Sequence, residues 1–139
     1  MYLTIPDPWY LHKLRRLADM CRNGALEDQP RRIRQARGLA RAKVPSRMFE
    51  VMIAAGAFES AALLLLGEDA AWMLSRGARG RCLASLLLPG MSEEVTCEAA
   101  SPALALLGAW ACEALARAQS GEVPAEAALP SRPAGVLLN

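Results

Sequence analysis

The spacing of apolar residues predicts a helix close to the start of the chain. Asp7 is a good N-cap, Pro8 suits the first position of a helix, and Gly24 stands where a helix commonly ends. Between them apolar residues recur at intervals of three and four, while the charged residues lie largely elsewhere. The apolar face consists of Tyr10, Leu14, Leu17 and Cys21. The pattern is typical of an amphipathic helix that packs on one side.

A second helix is predicted between Asp28, which can act as its cap, and Pro45, before which it should end. Its apolar stripe is only about 80° wide. The stripe is formed by Ile33, Ala36, Ala40 and Val44. Basic residues cover the rest of the surface or flank the stripe, namely Arg31, Arg34, Arg37 and Arg41 on the rest and Arg32 and Lys43 beside the stripe. We therefore expect a helix that exposes most of its circumference, either as solvated surface or as a binding element.

Ser46 can cap a short third helix that runs through Ala55 and ends at Gly56. The apolar face of this helix would be formed by Met48, Phe49, Met52 and Ile53.

Beyond residue 57 the pattern changes to short apolar runs bounded by Gly and Pro, which is typical of an antiparallel meander. The runs are Ala61–Leu66, Ala70–Ser75 and Arg81–Leu88. The first run alone could also be helical, because Ala and Leu favour helix, but the turn residues on both sides favour a strand. Glu93–Ala99 alternates and predicts an edge strand with one wet face. The inner strands are apolar on both faces, so both faces should be covered by helices or by a partner.

The last helix is predicted from Ser101 as cap and Pro102 in the first position to Gly121 as its end. Residues 103–112 are apolar all round, which predicts a helix buried across the sheet. The fold class expected is therefore α+β, with N-terminal helices, a three- to four-stranded antiparallel meander and a buried C-terminal helix on the sheet.

Composition predicts a folded chain in three regions. Hydrophobic residues make up 53% and aromatic residues only 5%, so the apolar excess is Ala and Leu. We expect a basic helical region at 1–45, an α–β–β–β–α sandwich core at 46–120 and a Pro-rich tail at 121–139. The longest apolar run is about half of the roughly 20 residues that cross a bilayer, and the first residues lack the pattern of a signal peptide. The expected location is the cytoplasm of a host cell.

Charge is distributed unevenly along the chain. Residues 1–47 contain eleven Lys and Arg but four Asp and Glu, and the remaining residues contain five and ten. Two basic features are candidate binding sites for phosphate or for an acidic protein surface, and ordinary solvated surface is the alternative for both. They are the second helix, with Arg31, Arg32, Arg34, Arg37, Arg41 and Lys43, and a hairpin tip, with Arg76, Arg79 and Arg81. No aromatic residue accompanies either feature in the sequence, which argues against binding of single strands by base stacking.

Few residues suggest catalysis or metal binding. His12 is the only histidine and falls on the polar side of the first helix. Glu93 and Glu94 would point to opposite faces of a strand, and no phosphate-binding loop motif is present. The cysteines lack the paired spacing of zinc ligands, so we expect reduced, buried thiols rather than a metal site. They are Cys21, Cys82, Cys97 and Cys112. We expect no enzyme activity and no cofactor.

The segment from Glu98 to Leu107, with Ser101-Pro102-Ala103 at a helix start after a strand, resembles the closing segment of small phage and prophage proteins with an α–β–β–β–α sandwich. The matching element order covers residues 46–118, and residues 1–45 fall outside it. The resemblance implies an accessory protein of a mobile element and carries no catalytic residues. Double-stranded RNA-binding domains share the element order, but the Lys cluster that they place at the start of the last helix is absent here.

Three functions are compatible with these features. The leading hypothesis is a non-enzymatic phage or mobile-element protein that binds and inhibits a host nucleoprotein machine, as an anti-CRISPR-type inhibitor would. The second is a DNA- or RNA-binding accessory protein that uses the basic helix 29–43. The third is a structural component of a virion or oligomer, suggested by the two-sided apolar sheet. The expected partner is a host protein or nucleoprotein complex, with nucleic acid and a second copy of the chain as alternatives and no membrane.

Overall fold

A computed structural model describes residues 7–40 and 45–120. It contains five α-helices and a three-stranded antiparallel sheet, so the predicted α+β class is confirmed. The helices predicted at the beginning and at the end of the fold are also present. The elements are α1 (Pro8–Asn23), a short 3₁₀ helix (Leu26–Asp28), α2 (Gln29–Ala40), α3 (Ser46–Ala54), α4 (Phe58–Leu66), β1 (Ala71–Arg76), β2 (Cys82–Leu87), β3 (Val95–Ala99) and α5 (Pro102–Gln119). The predicted tail at 121–139, with the helix end at Gly121, and Val44 of the apolar stripe lie outside the described residues.

The caps predicted for the first and last helices are present. The Asp7 carboxylate accepts a hydrogen bond from the Trp9 backbone N–H at 3.0 Å and begins α1. The Ser101 hydroxyl accepts from the Leu104 N–H at 3.1 Å and begins α5. The predicted cap at Ser46 is wrong, because Pro45 occupies the N-cap position of α3 and no side chain caps that helix.

The prediction of a strand at residues 61–66 is wrong, because these residues belong to α4. No β-branched residue occurs between Phe58 and Leu66, so helix propensity is unopposed along this segment. The buried side chains recur at helical spacing, and Gly67 ends the helix with a φ of 90°. They are Ala61, Ala62, Leu65 and Leu66. The sheet consequently has three strands and not four.

The sheet is a meander in the order β1-β2-β3, with one face against α5. The register aligns the buried residues of β2 with Val95, Cys97 and Ala99 of β3. Thr96 and Glu98 lie on the opposite, exposed face, as predicted for an edge strand. Of the three strands, β2 and β3 pack against α5, while β1 packs chiefly on β2.

α5 lies at the centre of the molecule. Nearly every residue from Ala103 to Ala114 is buried, which confirms the prediction of a helix surrounded on all sides. The sheet covers one side of it, and α1, α2 and α4 cover the others. The buried side chains of α1 and α2 belong to the same hydrophobic cluster as those of α5. A buried hydrogen bond of 2.7 Å from Ser101 Oγ to Gln29 Oε1 joins α5 to the start of α2.

Candidate functional site: a basic groove between α1 and α2

The structure divides the predicted basic residues of α2 into exposed and internal ones. Arg31 and Arg34 are exposed, Arg37 is half-buried and Arg32 is only 7% exposed. The packing of α2 against α1, α4 and α5 leaves much less of its circumference free than a narrow apolar stripe suggested, so that prediction is wrong. Arg41 and Lys43 lie outside the described residues.

Arg34 and Arg37 contact side chains of α3. The Arg34 guanidinium donates from Nε and Nη2 to the two carboxylate oxygens of Glu50, both at 2.9 Å. These hydrogen bonds lower the pKa of Glu50 and raise that of Arg34. The Arg37 guanidinium lies 5.9 Å from the centre of the Phe49 ring, within the range of a cation–π contact. Both arginines therefore join α2 to α3.

The three arginines of the β1–β2 hairpin do not form one cluster. Arg76 and Arg79 are exposed, but Arg81 is half-buried and bends back toward α1. Its Nη2 donates to the backbone carbonyl of Arg22 at 3.0 Å, and its Nε lies 3.4 Å from Oε2 of Glu98. A cation at the C-terminal end of a helix interacts favourably with the carbonyls there, so Arg81 has a structural role.

A groove of about 290 Å³ runs between α1 and α2 and has an apolar floor with basic side chains beside it. We call it the α1–α2 groove. It is lined by Trp9, Lys13, Arg16, Leu17, Met20, Arg34, Gln35, Gly38 and Leu39. Of the predicted site residues within the described part of the chain, only Arg34 belongs to this lining. Lys13 and Arg16 of α1 supply the other two cations.

Trp9 gives the groove an exposed aromatic surface. Its side chain is 60% exposed, and the Lys13 ammonium lies 5.7 Å from the centre of its ring. The sequence showed no aromatic residue beside the basic residues of α2 or of the hairpin, whereas packing brings Trp9 of α1 into the groove that Arg34 also lines. No Asp, Glu or His is among the nine lining residues. The groove can thus receive a negatively charged group at its rim and an apolar group on its floor.

The sequence contains a signal for the α1 side of the groove. Trp9, Lys13, Arg16 and Met20 follow one another at intervals of four and three, which places them on one stripe of α1. That stripe lies beside the buried face of α1. Its significance depends on α2 packing alongside, which helical periodicity alone does not predict.

The cysteines are free, and Cys21, Cys82 and Cys97 are buried, which confirms their interpretation as small apolar core residues. Burial raises the pKa of the Cys21 thiol to about 12 and that of Cys97 to about 11. Within 7–40 and 45–120, no three His, Cys, Asp or Glu side chains are grouped so as to hold a metal ion. His12 is exposed on α1.

We expect Cys112, which is half-buried, to be alkylated first in the folded protein at mildly alkaline pH. Cys21 and Cys97 should resist, because burial keeps them in the protonated form, which is a poor nucleophile. All four thiols should react after denaturation without reductant, as measured by intact mass and peptide mapping. Rapid modification of Cys21 in the folded chain, or fewer than four sites after denaturation, would contradict this prediction.

The raised pKa values of Cys21 and Cys97 also predict that the stability of the fold depends on pH. The folded chain retains thiol protons that the unfolded chain loses above a pH of about 9, so the free energy of unfolding should fall as the pH rises from there.

No protein-family model matches the chain, and comparison with curated proteins and with solved structures gave no match. In the part of the chain that the structure describes, no helix combines the length and the apolar content needed to cross a bilayer.

Proposed function

We propose that this chain is a non-enzymatic binding protein and that the α1–α2 groove receives an acidic protein segment with apolar side chains. The observation that supports the proposal is the composition of the groove, in which the cations Lys13 and Arg16 accompany an apolar floor formed by Leu17, Met20 and Leu39. Arg34 also lines the groove, but its charge is paired with Glu50. Acidic side chains of the partner would contact Lys13 and Arg16, and its apolar side chains would cover the floor. Trp9, exposed beside Lys13, would act as the aromatic anchor that interfaces favour.

Two features favour a protein segment over a nucleic acid. Affinity for a phosphate backbone comes mainly from several accessible cations, but Arg32 is buried, Arg37 is half-buried beside Phe49 and Arg81 is hydrogen-bonded to the Arg22 carbonyl. An apolar floor contributes nothing to a phosphate contact, whereas it stabilises a complex with apolar side chains. The exposed Trp9 is the feature that favours nucleic acid, because bases stack on aromatic rings. DNA and RNA binding are therefore measured in the same experiment.

The narrower form of this proposal is an accessory protein of a phage or mobile element that inhibits a host nucleoprotein machine, as an anti-CRISPR-type inhibitor does. Its support is the resemblance of residues 98–107 to small phage proteins. In this form the segment held in the groove belongs to a protein subunit of the machine, and occupying it blocks access to nucleic acid.

The test compares a groove variant with a matched surface variant. Lys13→Glu with Arg16→Glu reverses two exposed charges of the groove, and the surface variant, Arg47→Glu with Arg79→Glu, reverses two exposed charges outside both the groove and β1. Nuclease-treated host lysate is passed over each protein, and the affinity of any captured protein is then measured after purification. We expect the groove variant to lose at least about 100-fold in affinity, which corresponds to about 1.4 kcal/mol for each reversed charge, and the surface variant to lose little.

Direct titration with short single-stranded and duplex oligonucleotides decides between the partner classes. If an oligonucleotide binds the wild type with a steep salt dependence and the groove variant does not bind it, nucleic acid is the ligand and the protein-binding proposal is wrong. Equal binding of the captured protein by wild type and groove variant would show that the groove is not the binding site.

A further inference from the structure

Within residues 7–40 and 45–120, β1 is an edge strand whose two faces are largely exposed. Every residue of β1 is exposed except the half-buried Leu74, and Trp72 and Met73 are 45% and 65% exposed. The register places Trp72, Leu74 and Arg76 on the face that α5 covers over β2 and β3, and Met73 on the opposite face. Large apolar side chains on an edge strand without covering elements are typical of a strand that pairs with another chain.

The opposite edge of the sheet is formed by β3, which packs against helices and exposes polar side chains. β3 lies beside α1 and α5. Its exposed face carries Thr96 and Glu98, and Glu98 faces Arg81 at 3.4 Å. Polar and charged side chains of this kind discourage pairing between edges. β1 contains no proline, no lysine and no acidic residue along Ala71–Arg76. Of the two edges, β1 is therefore the one suited to pairing.

The hairpin identifies which backbone groups of β1 are available. The Gly77 N–H donates to the Arg81 carbonyl at 2.8 Å, so Gly77 and Arg81 form a hydrogen-bonded pair. Because such pairs alternate along an antiparallel ladder, Ser75 and Met73 also bond to β2. The backbone N–H and C=O groups of the intervening residues are directed away from the sheet. These residues are Trp72, Leu74 and Arg76.

We propose that two copies of this chain pair through β1 to form a continuous six-stranded antiparallel sheet. A two-fold axis through Leu74 places this residue opposite its own copy and Trp72 opposite Arg76 of the second copy. All three outward-directed residues are then hydrogen-bonded, and the covered faces of both sheets lie on the same side. The register is also electrostatically complementary, because each arginine lies beside a tryptophan ring of the other copy and the electron-rich face of that ring attracts a cation.

The interface is small, because each copy contributes one strand and its flanking side chains. Interfaces below about 1,200 Å² belong to the weaker class, so we expect a dissociation constant of about micromolar magnitude. This inference is independent of the groove, which is formed by α1 and α2 and not by the sheet.

The test is the mass of the full chain in solution over a range of concentrations, by sedimentation velocity. We expect the wild type to dimerise and Leu74→Pro to remain monomeric. Proline removes the N–H directed away from β2, so the hydrogen bonds of the β1–β2 ladder should be retained. The loss of the half-buried Leu74 side chain should lower the thermal unfolding midpoint without unfolding the chain. As a second variant, Trp72→Arg faces Arg76 of the other copy with a like charge and should weaken dimerisation by at least about tenfold.

Adding Arg76→Glu to Trp72→Arg restores opposite charges across the proposed register and should restore the dimer. That rescue is specific to this register, and it does not depend on the fold of the proline variant. A chain that is monomeric at all concentrations overturns the proposal. So does a dimer that persists in Trp72→Arg but is lost in Leu83→Glu, because Leu83 lies on the open face of the sheet and the association would then be face to face.

Discussion

Replacing Gly108 with alanine is expected to destabilise the protein by about 1–3 kcal/mol, although the same change normally stabilises the interior of a helix by about 1 kcal/mol. Gly108 is buried in the middle of α5. A Cβ atom at this position would overlap Cys97 Sγ on β3 and lie 3.3 Å from Cys21 Cβ on α1. The backbone of α5 thus approaches both the sheet and α1 here, and only glycine leaves the required space. A leucine should prevent folding altogether.

A matched control and a rescue make this prediction specific. Gly38→Ala in α2 has no atom within 4 Å of the new Cβ, so it should stabilise the chain by about 0.5–1 kcal/mol. Combining Gly108→Ala with Cys97→Ala removes the sulfur that the new methyl group meets and should recover part of the lost stability. Chemical denaturation of the four proteins measures these differences. If Gly108→Ala stabilises the chain as much as Gly38→Ala does, the close approach of α5 to β3 and α1 at Gly108 is wrong.

Local signals in the sequence were sufficient for α1 and α5. Both helices begin at a residue whose side chain accepts a hydrogen bond from the first turn, Asp7 in α1 and Ser101 in α5. A proline follows each cap directly, and its fixed φ suits the first helical position. Capping depends on residues within a single turn of the chain. These starts could therefore be predicted without knowledge of the tertiary structure.

Residues 58–66 show where local signals are insufficient. A short apolar run of Ala and Leu between turn residues is compatible with a buried strand and with a buried helix. Propensity favours the helix, while the glycines at both ends are equally compatible with either element. The decision depends on the space between α2, α3 and α5, which α4 fills with its buried face. This is information about packing and is not contained in the run itself.

The candidate site depends on tertiary packing to a greater extent than α4 does. Arg34 lines the groove, but its neighbours Lys13 and Arg16 come from a different helix. The charges of α2 could be read from the sequence, but their accessibility could not. Arg31 and Arg32 are adjacent in the sequence, yet the first is exposed and the second is buried. The side of α2 that faces α1, α4 and α5 determines this difference.

Arg32→Glu is accordingly expected to destabilise the fold by more than about 3 kcal/mol, whereas Arg31→Glu should change the free energy of unfolding by less than about 0.5 kcal/mol. The Arg32 side chain is 7% exposed, and its Nη1 donates to Gln35 Oε1 at 2.6 Å. Arg32 also lies close to Cys21, whose pKa is raised by burial and in part lowered by this charge. A glutamate would place a carboxylate with little solvation in this apolar surrounding.

Arg32→Met separates the role of the charge from that of the aliphatic stem. Methionine keeps a flexible apolar chain of similar length and removes a guanidinium whose Nε has no hydrogen-bond partner among the described residues. Replacing a poorly satisfied buried charge with an apolar residue is often neutral, so we expect a change of less than about 1 kcal/mol. Denaturant unfolding of the three variants provides the comparison. Equal stabilities of Arg31→Glu and Arg32→Glu would mean that Arg32 is a surface residue, and α2 would then present the continuous basic face that its sequence suggests.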